Sequence, residues 1–408
     1  MGRKKGVKNT TKGKSMSALE QKINELFGNM ETEKEDSETS TKKEEIRKGL
    51  ETFSEMDIKE QFPFEQYEER NIKGKIFHSE ELKNEDKTRA YFVYKALTNK
   101  SKGLKADRKA SPFDPDNSTG KCKFTRDLYS KLWGFEKCPR SNFGEISAFK
   151  EEQKKIIFGG DCLNSLQTSI NAMSGYTTIK CINKMVEDKE TFLNEMENSE
   201  IANLFKVSHA PGNFGLVPAY FNGFRGRNSD IKDYLPQSLF YLMNMLDEKI
   251  SLNRNQKKYI QKYPIGKFKK YVNTMFLWDL VKYESDGSIS VINYSGDTIS
   301  SSESNYKIME LSDWAKGAER FIRRRGIFMG AMLYASYFHH EDFKKITEAL
   351  YVDDIKVNNT QDGSEAVNED GKPKDGYEAA FELITKKIEG NKELSTVFEC
   401  AKEAIDEL

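Results

Sequence analysis

The chain has 408 residues, enough for one large domain or two ordinary ones, and its 37% hydrophobic and 12% aromatic residues suffice for a core. Lys+Arg and Asp+Glu both total 65, so the formal net charge of zero excludes a globally basic nucleic-acid coat while allowing local segregation of charge. No run of about 18 apolar residues is present, which excludes a membrane-spanning helix, and the basic amino terminus lacks the apolar core of a secretory signal, so a cytoplasmic protein is expected.

Residues 1–16 are read as a disordered basic arm: Arg3, Lys4, Lys5, Lys8, Lys12 and Lys14 stand there without an acid, and almost nothing is available to bury. A short amphipathic helix is expected over 17–28, with Ser17 as N-cap, Glu20 three residues on and Gly28 at its end. Its apolar face, Leu19, Ile23, Leu26 and Phe27, must dock on the body or on a protein partner. The acidic, Ser/Thr-rich stretch 29–45 reads as a solvated linker, and a helical core domain is expected over 46–351.

Within that domain, 88–98 places Tyr91, Tyr94 and Leu97 on one helical face, 112–121 is turn-rich, and 124–135 is a short helix broken by Gly134. Helical periodicity recurs over 161–174 and 176–187, over 235–249, and over 267–283, the most hydrophobic of the set. Residues 287–297, GSISVINYSGD, alternate between flanking glycines and give the clearest β signal, an edge hairpin. The longest helix is expected over 312–338, capped by Ser312 with Asp313 in its first turn, and another over 341–351. A polar loop at 352–376 and two C-terminal helices, roughly 377–389 and 392–406, packed on the core, complete the reading. The expected fold class is mainly α, an irregular multi-helix globular domain with one small β-hairpin; alternation of strands and helices is missing, which excludes a Rossmann-type architecture.

Five cysteines, Cys122, Cys138, Cys162, Cys181 and Cys400, form no C-x-x-C pair, and an odd number cannot close into a complete disulfide set. They read as reduced structural thiols. Cys162 follows Gly159-Gly160-Asp161 at an expected helix start and shares helical spacing with Leu166, Ile170 and Met173. Of the four histidines, His78 is expected to cap or pack, and the pair His339-His340 to mark a helix junction, since adjacent helical residues point about 100° apart and make a poor chelate.

Two stretches carry candidate chemistry. In AERFIRRRG, Arg320 and Arg324 share a helical face with Arg323 one position away, while Phe321, Ile322 and Phe328 point to the core. Such a guanidinium comb suits phosphate, because each fork reaches two oxygens; the alternative is a salt-bridged face paired with Glu319 and neighbouring acids. In VSHAPGNFGLVPAYFNGFRGRNSD, residues 207–230, four glycines and two prolines shape a loop that Phe214, Tyr220, Phe221 and Phe224 anchor. On that frame Asn213, Asn222, Arg225 and Arg227 are the candidate binding residues and His209 the candidate catalytic residue, or the same side chains satisfy buried carbonyls. No set of metal ligands assembles, no Walker loop or dinucleotide fingerprint is present, and no cofactor is implied.

The order SNFGEISAF, GGDCLNSLQTSINAMSG, PGNFGLVPAYFNGFRG, FLWDLVKYESDGSISVI and ERFIRRRG resembles a bacterial family classed as a domain of unknown function, over about residues 110–330. GNFGLVPAYFN is in addition similar to the Gly-Asn-Leu element of HNH nucleases that restrict modified DNA, a likeness that implies His209 as a general base. GRKKGVKN resembles the basic Gly-Arg arms that lie in the minor groove of A·T-rich DNA, with Lys4 in place of their proline, and so implies DNA or RNA contact through Arg3, Lys4, Lys5 and Lys8. The expectation drawn from these features is an intracellular bacterial or phage-associated nucleic-acid-binding or interaction protein with a ligand or partner site at 207–230. The alternatives are a nucleic-acid- or nucleotide-processing enzyme, such as a defence nuclease, and an assembly protein that docks through its N-terminal helix.

Overall fold

The computed structural model describes residues 18–27, 38–55, 131–132, 158–162, 203–204, 207, 210–218, 235–247, 268–284, 288–299, 311–352 and 376–408. Among them are eight α-helices: α1 (Ala18–Phe27), α2 (Glu38–Glu55), α3 (Leu235–Leu246), α4 (Phe268–Met275), α5 (Leu311–Phe338), α6 (His340–Val352), α7 (Gly376–Lys387) and α8 (Lys392–Asp406). Strands β1 (Phe158–Cys162) and β2 (Phe214–Pro218) pair antiparallel, as do β3 (Val281–Tyr283) and β4 (Ile289–Val291). The fold is mainly helical, and none of the helices among the described residues is long and apolar enough to cross a membrane.

Helix α5 is the axis of the packing. Trp314, Ala315, Ala318, Phe321, Ile322 and the whole run Ile327–Ala335 are buried along its 28 residues, so it is covered on nearly every side. Small residues make this possible. A Cβ on Gly326 would meet Ser54 at 3.0 Å, and one on Gly330 would meet Leu50 at 3.1 Å and Phe53 at 3.2 Å, so α2 lies directly against the α5 backbone. On the side toward the carboxyl terminus, Phe328 packs edge-on to Tyr377 and Phe381 with ring centroids 5.6 and 5.5 Å apart. Aromatic pairs of this kind contribute beyond the area they bury.

Part of the apolar face of α1 is covered by the same chain: Ile23 and Phe27 are buried, and Phe27 stacks edge-on to Tyr334 of α5 at 5.3 Å. This helix was expected to need a docking surface, and it finds one on α2 and α5. Helix α2 begins at Glu38, so the second half of the stretch expected as a solvated linker is helical; Ile46, Leu50 and Phe53 bury its apolar stripe, and Arg47 pairs with Glu51 and Glu407.

Two further expectations are corrected. The helix expected over 267–283 ends at Met275. Phe276 takes φ 55°, and the Leu277 amide donates to the Val272 carbonyl at 3.0 Å, the six-to-one bond of a left-handed helix stop. Glycine usually fills that position; here a fully buried Phe276 does, packed on Trp278 at 5.7 Å and Phe328 at 4.9 Å. The left-handed conformation costs a non-glycine residue about 1–2 kcal/mol, which this aromatic packing offsets. Beyond the stop the chain makes a 3₁₀ turn at Trp278–Leu280 and then β3, which pairs with β4 inside the expected hairpin region. Cys162, expected at a helix start, is the last residue of β1, opposite Phe214 in register. Strand β1 was not expected, because two of its five residues are glycines, which strand propensities disfavour.

A 3₁₀ turn at Pro211–Asn213 leads into β2 and presses against α5 so closely that a Cβ on Gly212 would collide with the Ile322 carbonyl oxygen and come within 2.8 Å of the Gly326 amide nitrogen. Backbone cannot yield as a flexible side chain can. Gly212→Ala is therefore expected to destabilise the protein by about 3 kcal/mol, at the upper end of overpacking costs, read as a lowered urea midpoint with an unchanged slope.

Candidate functional site

Of three consecutive arginines in the middle of α5, Arg325 is the one turned inward. It shares a helical face with Phe321 and Phe328, and it is fully buried. Its Nε donates to the Met275 carbonyl at 2.7 Å, and its Nη1 donates to the carbonyls of Gly212 and Phe214, both at 2.7 Å. Met275 is the last residue of α4, where the carbonyls lack helical partners and carry the negative end of the helix dipole; a cation is favoured there. One guanidinium thus closes the end of α4 and fixes both sides of the turn that opens β2.

The neighbouring arginines fan outward to different partners. Arg323 is paired with Glu319, one turn back on α5, and with Glu55 at the end of α2. Burial pulls its guanidinium down, but the hydrogen bonds and charges of Glu319 and Glu55 outweigh that effect and hold it above its ordinary value. Arg324 donates to Asp279 Oδ1 at 2.7 Å and lies 4.9 Å above the Tyr377 ring, with only 8% of its side chain exposed. Arg320 is exposed.

Arg320 and Arg324 line a groove of about 570 Å³ between α5 and the turn that follows β4. On α5, Asp313, Lys316 and Gly317 continue the same stripe at helical spacing. The opposite wall is the turn Ile292–Gly296, braced by Asn293, whose Oδ1 accepts from the Ser295 and Asp297 amides, each at 2.9 Å. Gly296 has φ 85°, which the turn requires. Tyr294 stands between the walls, half-buried, 6.3 Å from the Phe321 ring; a Cβ on Gly317 would collide with it, so glycine lets the tyrosine lie flush on α5. Asp279, from the 3₁₀ turn, joins Arg324 in the floor. Among the described lining residues three cations face two carboxylates. Among the described residues neither Lys316 nor Arg320 has a carboxylate partner, so both ammonium and guanidinium can meet an anion from solution.

No family model, no curated protein and no solved structure matches the chain.

The expected site residues are thus divided. Arg320 and Arg324 come together in the groove, whereas Arg323 is committed to Glu319 and Glu55, the salt-bridged alternative realised for that one residue. Asn213 was expected to stand as a polar group on a presenting loop; instead Ala210–Gly215 are buried against α5, and Asn213 is fully enclosed. Residues 210–215 are anchored against α5 and face the core. His209, Asn222, Arg225, Arg227 and the arm residues Arg3, Lys4, Lys5 and Lys8 lie outside the described residues. So do His78 and the segments 88–98, 112–121 and 176–187.

His339 occupies the junction between α5 and α6, as expected. Its Nδ1 meets Asn391 Nδ2 at 3.2 Å, while Asn391 also donates to Asp342 at 2.9 Å and caps α8 by accepting from the Leu394 amide at 3.0 Å. The Asn391 hydrogen bond, with help from Lys345, holds the Asp342 carboxyl below its ordinary value. Tyr334 donates to Glu393 beside it, and burial together with that bond pushes the phenol up. These contacts join three helix ends. Buried Cys400 donates to the Lys43 carbonyl at 3.7 Å, and burial raises its thiol, the opposite of what a nucleophile needs. Among the described residues no three His, Cys, Asp or Glu side chains gather as a metal site would require.

Sequence reasoning missed Lys316, Tyr294, Asp279 and the inward turn of Arg325. Two of these left a signal: Lys316 lies four residues before Arg320, and Arg325 lies four after Phe321 and three before Phe328, on the apolar face. Tyr294 and Asp279 reach the groove only through tertiary packing. The Asp279–Arg324 pair at its floor is mostly desolvated, so removing one partner strands a charge. Asp279→Ala is expected to cost about 3 kcal/mol in urea unfolding, and adding Arg324→Met to it is expected to restore a large part of that loss.

Proposed function

We propose that the chain is an intracellular nucleic-acid-binding interaction protein that receives a phosphate of its ligand in the groove along the first turns of α5. The observation that carries this reading is the pairing of two exposed cations four residues apart, Lys316 and Arg320, with a half-buried aromatic face, Tyr294, in one concavity. Guanidinium and ammonium groups bind phosphate oxygens, and an aromatic ring offers a stacking platform to a base of any identity. That combination is what a single strand presents at each step, a charged linkage beside an unpaired base. The basic stretch with Arg3, Lys4, Lys5 and Lys8 would add contacts that depend on charge alone, raising the rate and strength of capture without reading sequence. A protein of zero net charge then binds through two local concentrations of positive charge.

The test is fluorescence anisotropy with a labelled single-stranded oligonucleotide across a range of salt. Charge reversal at two exposed positions, Lys316→Glu with Arg320→Glu, is expected to weaken binding by tenfold or more. It should also make log Kd less steep against log salt by about 1.4, from two lost phosphate contacts at about 0.7 each. Binding by this variant with the affinity and slope of the wild type would contradict the reading.

A further inference from the structure

Two rows of residues run side by side along the first turns of α5. Lys316 and Arg320 form one, and Gly317 and Phe321, each the next residue along, form the other. Tyr294 lies on the second row, with its ring centroid 6.3 Å from that of Phe321. At Gly317 the tyrosine meets bare backbone. A Cβ there would stand 2.4 Å from Tyr294 Cβ and 2.8 Å from Cγ, at the stiff root of the side chain and not at its far end. The chain around the tyrosine is fixed as well, since buried Asn293 gathers the Ser295 and Asp297 amides, each at 2.9 Å, and braces the turn. The ring therefore cannot stay on the helix if residue 317 gains a side chain.

We infer that Gly317 is a positioning residue: it seats Tyr294 beside the Lys316–Arg320 row, where the ring stacks an unpaired base while the cations hold the adjoining phosphate. The inference rests on the reading of the groove as a phosphate site and names the other half of its ligand, a base read by stacking and not by its edge. Glycine in the interior of a 28-residue helix is disfavoured relative to alanine. The residue chosen here runs against propensity, and the contact with Tyr294 supplies the reason. The two effects have separate readouts, because a methyl group at 317 favours the helix but lifts the ring. Ser295–Thr298 of the turn are exposed and can yield outward, so the platform can be lost without unfolding α5.

The full chain is titrated at low salt with a labelled thymidine oligonucleotide and with an abasic strand of the same length and charge, and followed by fluorescence anisotropy. Wild-type protein is expected to bind the base-bearing strand tighter by about fivefold or more, the lower end of what stacking one base contributes. Gly317→Ala should lose most of that ratio while keeping the wild-type dependence on salt and a urea midpoint no lower than the wild type's. Tyr294→Phe should keep the ratio and Tyr294→Leu should lose it, and adding Gly317→Ala to Tyr294→Leu should remove nothing more. A ratio retained in Gly317→Ala or in Tyr294→Leu, a wild type that binds both strands equally, or a urea midpoint lowered by Gly317→Ala would overturn the inference while leaving the groove as a phosphate site. Failure of the wild type to bind either strand, or undiminished binding by the Lys316→Glu, Arg320→Glu variant, would overturn the inference and the groove reading together.

Discussion

A buried guanidinium holding three backbone carbonyls is the constraint on which the rest of this structure depends. Arg325 joins three pieces of chain far apart in sequence: α5 itself, the end of α4 at Met275, and the turn at Gly212 and Phe214. Arg325 is a fully buried charge whose donors are turned onto these carbonyls, and leaving a buried donor unsatisfied costs about 1–3 kcal/mol. The fork geometry matters. A guanidinium addresses several acceptors at fixed angles within its own plane, whereas a lysine is a compact point charge. The arrangement also explains why Gly212 must be glycine, since the carbonyl reaches Arg325 only if the turn lies on the α5 backbone at Ile322 and Gly326.

From that fixed point the groove follows by geometry. With Met275 pinned, the left-handed stop at Phe276 sends the chain directly into the 3₁₀ turn that carries Trp278 and Asp279. Trp278 Nε1 donates to Asn273 Oδ1 at 3.0 Å and Tyr283 Oη donates to the same oxygen at 3.3 Å, so α4 and β3 are tied together. Asp279 then meets Arg324, the neighbour of Arg325, and β3 places β4 and its turn opposite α5. Four positions of one helix divide the work: Arg325 holds the interior, Arg324 the groove floor, Arg323 the seam with α2, and Arg320 faces the opening.

Much of the helical frame was legible in the sequence because it is periodic. The α1, α5, α6, α7 and α8 segments follow apolar spacing closely, and the alternating residues between glycines do form a β4 strand. What was not legible depends on contacts between distant residues. The α4 stop uses phenylalanine where local rules look for glycine, and only burial against Trp278 and Phe328 makes it affordable. Strand β1 contains two glycines and exists because β2 pairs with it. Composition marked 207–230 as a rigid, anchored stretch, but could not say which way its described part faces. The arginine run was recognised as chemistry on a helix; its division among partners required knowing where Met275, Asp279 and Glu55 lie.

The most direct test of this account is backbone hydrogen exchange of β2 and of the last turn of α4 in the wild type and in Arg325→Lys and Arg325→Met. If Arg325 holds both segments, amides over Phe214–Val217 and Asn273–Leu277 lose protection together in both variants, and lysine restores little of it. Amides in α7 and α8, which carry none of the three carbonyls, should change only by the overall loss of stability. Retained protection at both segments, or loss confined to one, would contradict the central role assigned to this residue.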